Sequence, residues 1–396
     1  MKYVDGKGDE EHSYFERNKT QRHSSQLTFE HRFDKQNRLN VKNSVTYFSR
    51  KIEIPDFTFD GEQLSSFSEV SYIQTKEKTE WVAGANIWTD KFTEKKLTDF
   101  PLRDYNMTTL GLFVQNNTKI TDWMNLETGL RTDYVTDYGF AVLPRISSLF
   151  KINEKFSSRI GGGFGYKAPT IFSEDGERIQ FQNVLPIDDD KNKLEKSYGA
   201  NVDFTYKTGL FGDQVFLSIN QLFFYTYLKN PLELQAAENS RWQFNNIDGH
   251  VDSKGAETNM KITYKDFGLF LGYTYTDANV KEDGRSYQKK LTPKHKINSV
   301  LMYEVEDKWK IGLEAYYTGK QKLNDGKTGQ DYLICGLMMQ RIWEKFSIYA
   351  NFENFTDRRQ TRFDTIYTGS MTKPEFRDIY APLDGFVLNA GIIIKL

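Results

Sequence analysis

Cysteine is almost absent from this chain: Cys335 is the only one. A disulfide framework within the chain and a zinc site built from thiolates are therefore excluded. The compartment stays open, since many exported bacterial proteins carry no disulfide. Long apolar runs are missing too. No stretch approaches the ~18 apolar residues that a spanning helix requires, and mean hydropathy is negative, so the chain is not a helical membrane protein. Neither sign of charge is in excess. The 53 Lys and Arg stand against 54 Asp and Glu, a net charge of −1, without the basic surplus that marks a nucleic-acid partner. The 9 Pro and 28 Gly are too few for a fibrous or low-complexity chain. Histidine is scarce, and no pair among His12, His23, His31, His250 and His295 has the helical spacing of metal ligands. The start, Met1 to Lys7, lacks the apolar core of a signal peptide. Either the protein stays in the cytoplasm, or the true N-terminus lies outside this chain.

What the chain does have is aromatic surface, with 23 Tyr, 30 Phe and 6 Trp. That is ample material to bury, so disorder is excluded. Its hydrophobic period is two rather than 3.6. Trp309, Ile311, Leu313 and Ala315 alternate with Lys310, Gly312 and Glu314. Phe267, Leu269, Leu271 and Tyr273 alternate with Gly268, Phe270, Gly272 and Thr274, and Met260, Ile262 and Tyr264 with Lys261 and Thr263. Phe156, Ile160 and Phe164 share a face opposite Arg159, Gly161 and Gly163. One apolar and one polar face per segment is strand chemistry.

Such segments number roughly 17, many about 11–15 residues long. A globular strand runs about 5–6 residues, whereas a tilted transmembrane strand needs about 9–11. Short polar turns, such as Asp34–Asn37, Thr118–Asp122, Lys265–Asp266 and Glu344–Lys345, alternate with longer polar loops. The long ones are expected at Ile52–Gln63, Asp90–Tyr105, Ala168–Lys193, Asn230–Ser240, Asn279–Thr292, Gly319–Gln330 and Asp357–Leu383; the connection near Val135–Gly139 stays short. A soluble sandwich has no reason to keep that alternation. A transmembrane, antiparallel, up-and-down β-barrel does. Its apolar face would meet lipid and its polar face a lumen. Tyr47-Phe48, Phe223-Phe224-Tyr225 and Tyr316-Tyr317 suit interfacial girdles. Phe386, Leu388, Ala390, Ile392, Ile394 and Leu396 form one face of a last strand.

Local motifs then resemble one family. Leu143-Pro144-Arg145-Ile146-Ser147 followed by Gly161-Gly162-Gly163-Phe164-Gly165-Tyr166-Lys167-Ala168-Pro169 is similar to the central barrel of TonB-dependent outer-membrane receptors. So are Leu194-Glu195-Lys196-Ser197-Tyr198-Gly199 and Asn246-Ile247 with Lys254-Gly255-Ala256-Glu257. Leu291-Thr292-Pro293-Lys294-His295-Lys296 and Asn351-Phe352-Glu353-Asn354-Phe355-Thr356-Asp357-Arg358 complete the series. Each motif is weak alone; their order from Leu110 to Leu396 carries the resemblance. That resemblance implies a barrel of about 22 strands around a plug. Residues 1–396 would then be the C-terminal portion of the barrel, incomplete at about 17 of 22 strands, with no plug domain in this chain. The implied location is the bacterial outer membrane. The implied function is active uptake of a scarce ligand, a ferric siderophore or other iron complex first, with heme and cobalamin as further candidates. Its partners would be outer-membrane lipid and the TonB-ExbB-ExbD complex, engaged through the plug region. A passive porin-like or structural barrel is the alternative.

The glycine run at Gly161 has no following Lys-Ser/Thr and no helix, so it is not a phosphate loop. Glycines on a lumen face instead leave room for a plug or ligand. Asp188-Asp189-Asp190 reads as a solvated charge run before it reads as a calcium loop. No nucleophile–base set argues for an enzyme, and nothing calls for a resident cofactor. The functional signal lies in the long loops, where arginines accompany aromatics: Phe172, Arg178, Phe181, Arg241, Trp242, Arg362, Tyr367 and Arg377. Guanidinium beside ring suits an anionic, ring-bearing ligand.

Overall fold

The computed structural model describes residues 2–3, 14–370 and 373–394. Its main sheet contains 19 strands. Two are accessory, the two-residue Lys2–Tyr3 and the loop strand Arg285–Gln288, which leaves 17 in the wall. In chain order these are β1 Phe15–Arg32, β2 Asn37–Ile54, β3 Phe57–Thr75, β4 Thr79–Glu94, β5 Tyr105–Lys119 and β6 Met124–Val135. Next come β7 Gly139–Lys151, β8 Phe156–Lys167, β9 Glu195–Leu210, β10 Val215–Lys229, β11 Gly249–Tyr264 and β12 Phe267–Glu282. The last are β13 His295–Val305, β14 Trp309–Thr318, β15 Tyr332–Ile342, β16 Phe346–Glu353 and β17 Val387–Ile394. Every wall strand pairs antiparallel with its sequence neighbours. Among the described residues β1 and β17 do not pair with each other, so the sheet is an open up-and-down wall.

The register explains why the apolar face stays in line. Leu301 of β13 faces Leu313 of β14, which faces Leu337 of β15, and Ile297, Tyr317 and Leu333 form a parallel row four residues further on. Leu301 and Leu313 are more than 40% exposed, as outward residues of a lipid-facing wall must be in the absence of lipid. The opposite face carries Val300, Glu314 and Gly336 in register. Trp309 to Tyr317 is eight residue steps of β14, about 26 Å along a strand. Tilt brings that close to the ~25 Å apolar band of an outer-membrane wall. At the short-turn end Trp343 stacks on Phe346 at 4.7 Å, and the Arg341 guanidinium lies 4.8 Å from the Trp309 ring. Phe386, just before β17, and Leu388, Ile392 and Ile394 on it are exposed; Leu396 lies outside the described residues.

Turns of two to four residues join strands at one end, for example Lys265–Asp266. Long connections lie at the other, but several differ from the sequence expectation. Ile52–Gln63 is no loop: β2 and β3 continue through it and turn at Pro55–Asp56 alone. Here the outward residues Lys51, Glu53, Asp60 and Glu62 are charged because the strands have left the membrane. Lys51 pairs with Glu53 at 2.8 Å and Lys95 with Asp60 at 3.2 Å. The inward residues Ile52 and Phe59 keep the period of two and are 1% exposed. β4 likewise runs to Glu94 and β12 to Glu282, shortening those loops. The loop after β10 is longer than Asn230–Ser240 and contains a hairpin of Leu232–Ala237 with Arg241–Asn246. Wall strands thus span 8 to 19 residues, a wider range than the alternation alone implied.

Candidate functional site

The long connections do not lie loose. They pack into a crown over the long-loop end, built on two apolar clusters and a small third one of Ile247, Val251 and Val280. The larger joins Ile52, Ile54, Phe59 and Phe92 of the strand extensions to Ile171, Phe181, Val184 and Phe244 of the loops. Phe181 stacks on Phe59 at 4.6 Å, and Phe172 meets Phe92 edge-on at 5.0 Å. The loop reaches this position through a short helix, α1 Glu174–Arg178, whose N-cap Ser173 accepts the Gly176 N–H at 3.3 Å. Acidic Glu174, Asp175 and Glu177 in its first turn suit the positive helix end. After α1 the chain reverses through Gln180, Phe181 and Asn183, all at positive φ. A bulky residue such as Phe181 at φ +61° costs about 1–3 kcal/mol. Its complete burial offsets that by about 1.5–3 kcal/mol.

Arg103, which no sequence pattern marked, is the polar centre of this cluster. Its guanidinium is 2% exposed, forms an ion pair with Glu94, donates to the Phe181 carbonyl and lies 5.0 Å from the Phe59 ring. It thereby ties the 95–104 connection to the 168–194 loop.

The second cluster joins Leu323, Tyr380 and Ala381 with flanking Leu291, Tyr332 and Phe363. Gln360, at the start of helix α2 Gln360–Phe363, is fully buried. Its amide accepts from the Tyr380 and Ala381 N–H groups at 2.8 and 3.1 Å, and donates to the Asp378 carbonyl at 2.8 Å. Beside it, Asp364 accepts from the Tyr380 hydroxyl at 2.6 Å and from Arg377 at 3.0 Å. Burial pushes the Asp364 carboxyl up, but the hydrogen bonds from Tyr380, the Thr365 N–H and Arg377 outweigh it and leave the group lowered. Burial and the bond to Asp364 push the Tyr380 hydroxyl up to about 12. The segment that carries Tyr380 reaches the first cluster through Arg178 and Asp378 at 3.7 Å and through Phe376, which packs on Tyr14 at 5.1 Å between ring centroids. Arg50 of the wall holds α1 through Glu177 at 2.6 Å.

The residues singled out from sequence fall into two groups. Phe172, Phe181, Arg178 and Arg377 are committed to packing or ion pairs within the crown; Arg377 is shared between Asp325 and Asp364 at 3.0 Å each. Trp242 also bridges loops, its N–H donating to the Asn183 carbonyl at 2.9 Å and its carbonyl accepting from the Leu185 N–H at 2.8 Å. Arg241, Arg362 and Tyr367 are less tied. Arg241 is exposed over the Phe100 ring at 5.7 Å, with no carboxylate partner among the described residues. Arg362 is 55% exposed and pairs with Asp357. Tyr367 sits in the small hairpin of Tyr367–Ser370 with Lys373–Phe376. Arg358 of the same loop stacks 4.1 Å from the centre of Phe363. Asp188 is paired with Lys191 at 2.7 Å, and Asp189 accepts from Tyr138 at 2.6 Å.

Below the crown, a cavity of about 360 Å³ is lined by Glu174, Lys296, Tyr332 and Tyr380 among others. Further down, a groove of about 700 Å³ runs over Gly161 and Gly163, flanked by Arg145, Arg159, Asn201 and Asp203. A Cβ at Gly161 or Gly163 would stand 3.3 Å from a backbone carbonyl oxygen of β7, so glycine keeps this stretch of wall thin.

An open antiparallel wall with an apolar outer face, a polar inner face and a one-sided loop crown is the architecture of a transmembrane β-barrel wall. The family described as TonB dependent receptor-like, beta-barrel, matches residues 2–355. The chain belongs to that family, whose members are transporters rather than enzymes. No curated protein sequence matches it. Among solved structures it is similar to a mutant of the ferric enterobactin receptor PfeA from Pseudomonas aeruginosa, with 15% identity and a TM-score of 0.67 over 95% of this chain and 61% of that one. It is also similar to the FrpB iron transporter from Neisseria meningitidis, at 12% identity and a TM-score of 0.72, covering 95% of this chain and 63% of that one. The ferric-catecholate import receptor Fiu from E. coli K12 gives 13% identity and a TM-score of 0.68, covering 96% and 65%. The chain therefore spans less than two thirds of the length of these structures.

Proposed function

We propose that residues 1–396 form the C-terminal portion of the barrel of an outer-membrane receptor for energy-dependent uptake, with the plug and first strands supplied from outside these residues. The ligand class is a ferric siderophore or another iron complex, and TonB-ExbB-ExbD supplies the energy through the plug region. The observation that carries this reading is the crown: aromatic and guanidinium groups are held in fixed places over a polar, glycine-thinned lumen face. A passive pore needs no such ordered cap. The similar structures include a ferric enterobactin receptor and an iron transporter, which supports the ligand class. Arg241, Trp242, Arg362 and Tyr367 are the candidates for direct contact. Phe172, Phe181, Arg178 and Arg377 act by holding the loops that present them. In the full-length receptor, Arg362→Ala with Tyr367→Ala lowers uptake of radiolabelled ferric siderophore about tenfold, the worth of one charge-assisted contact, at unchanged surface abundance. Unchanged ligand affinity in that double variant removes both residues from the site.

A further inference from the structure

On the outside of the wall, above the last apolar row, lies a cavity of about 450 Å³ that ligand capture does not use. Its lining includes Lys294, His295, Tyr317, Lys320, Lys322 and Asp331. The register fixes the face. Ile297, Tyr317 and Leu333 form an outward row, and the next outward position up is His295 beside Gly319, whose N–H donates to the His295 carbonyl at 2.8 Å. The cavity therefore stands one row, about 7 Å, above apolar side chains that face lipid.

Its charge is unbalanced. Asp331 is the one carboxylate in the lining and already accepts the Tyr317 hydroxyl at 3.2 Å. Lys294 reaches Asp277 at 3.6 Å, but Lys254 shares that carboxylate at 3.9 Å. Lys322 donates to Thr328 at 2.8 Å, a neutral partner. Lys320 is exposed and has no ion-pair partner among the described residues. Four ammonium groups thus meet two carboxylates at the height where a bilayer changes from chains to headgroups. Tyr273 holds the His295 ring at the cavity edge through a 2.9 Å hydrogen bond between its hydroxyl and Nδ1.

We infer that Lys294, Lys320 and Lys322 form a seat for a phosphate-bearing lipid headgroup of the outer leaflet, with its acyl chains lying down the Ile297, Leu333 and Leu313 face. A free anion would gain the same charge contacts. Only a lipid gains the apolar row beneath them, and only a lipid arrives at this height already oriented. This rests on the reading that the long-connection end faces outside.

The test uses the full-length receptor in detergent, titrated with bisphosphorylated lipid A and with the same lipid stripped of phosphate, and read by native mass spectrometry. Each ammonium near an anionic surface is worth about fivefold, so Lys294→Gln, Lys320→Gln and Lys322→Gln together lower affinity for the phosphorylated lipid on the order of a hundredfold. The corresponding triple change to Arg retains binding. Stripped lipid binds the parent no better than phosphorylated lipid binds the Gln variant. Equal binding of both lipids, unchanged binding in the Gln variant, or displacement of the lipid by millimolar inorganic phosphate each overturns the proposal. Sidedness is read separately by an impermeant maleimide on a Lys320→Cys variant in a Cys335→Ser background. Labelling of intact cells keeps the outer leaflet. Labelling only after permeabilisation overturns the topology and the seat with it, whereas surface labelling with unaltered lipid binding overturns the seat alone.

Discussion

Leu313 shows how much one position of this wall decides. It lies in the outward row between Leu301 and Leu337, within the apolar band of β14. Leu313→Arg there costs about 2–4 kcal/mol if the row lies near the bilayer midplane. A folding titration in lipid vesicles measures it, and a cost near zero with folding intact sets aside this register. This residue was legible in sequence because period-two alternation directly assigns a face. Arg103 and Gln360 were not. Both are polar, both are buried in the crown, and their partners lie tens of residues away or within an irregular segment. No periodicity reports such contacts. Asp364 and Tyr380 give the residue scale a pH test. Asp364 is lowered from its ordinary value, so its contribution is complete above the unfolded carboxylate range, near 3.9, and is lost as pH falls through the folded value. Tyr380 is raised to about 12, so its contribution is complete below the unfolded value of about 10 and is lost as pH rises through 12. The protection factors of the Tyr380 and Ala381 amides, with observed exchange divided by the intrinsic rate at each pH, should therefore stay high between those limits. They should fall on both sides; a loss of protection near neutral pH would count against the pair.

At the scale of elements, strands and short turns were read well, and the loops poorly. The alternation placed all the wall strands, because outward and inward residues differ in chemistry wherever lipid is the outer solvent. It failed above the membrane, where β2 and β3 have water on their outer face and the charged residues there imitate a loop. It also read Ala168–Lys193 and Asp357–Leu383 only as long polar loops, although residues at their centres are buried. That difference changes the expected pattern of proteolysis. Phe181 and Asn192 are buried, whereas Asp190, Lys191 and Lys193 are exposed, as is Arg362. Trypsin applied to intact cells should cut after Lys191, Lys193 and Arg362 and spare Arg178, which is engaged with Asp378. N-terminal sequencing of the released fragments checks it. Cleavage appearing only after the outer membrane is permeabilised would place this end in the periplasm.

The whole molecule poses a problem of edges. β1 and β17 each have a wall partner on one side only among the described residues. Lys2–Tyr3 covers no more than Phe15 and Glu16 of β1. In hydrocarbon every unpaired N–H or C=O costs several kcal/mol, so two open strand edges outweigh the 5–15 kcal/mol that typically separates a folded domain from its unfolded chain. β1 adds a second difficulty. Its outward positions Gln21, His23 and Ser25, in register with Ser49, Tyr47 and Val45 of β2, suit a neighbouring strand better than lipid, unlike the outward Leu27 and Phe29 further along. A wall of 17 strands against the ~22 of a plugged transporter is relieved of both costs when further strands complete the ring. Expressing Met1–Leu396 alone should therefore yield protein without heat-modifiable mobility and without energy-dependent uptake. Expressing it together with its upstream coding sequence should restore both. If the 396 residues alone fold in the outer membrane and import a ligand, their edges are closed by a pairing that this sheet does not contain, and the argument from unpaired backbone fails.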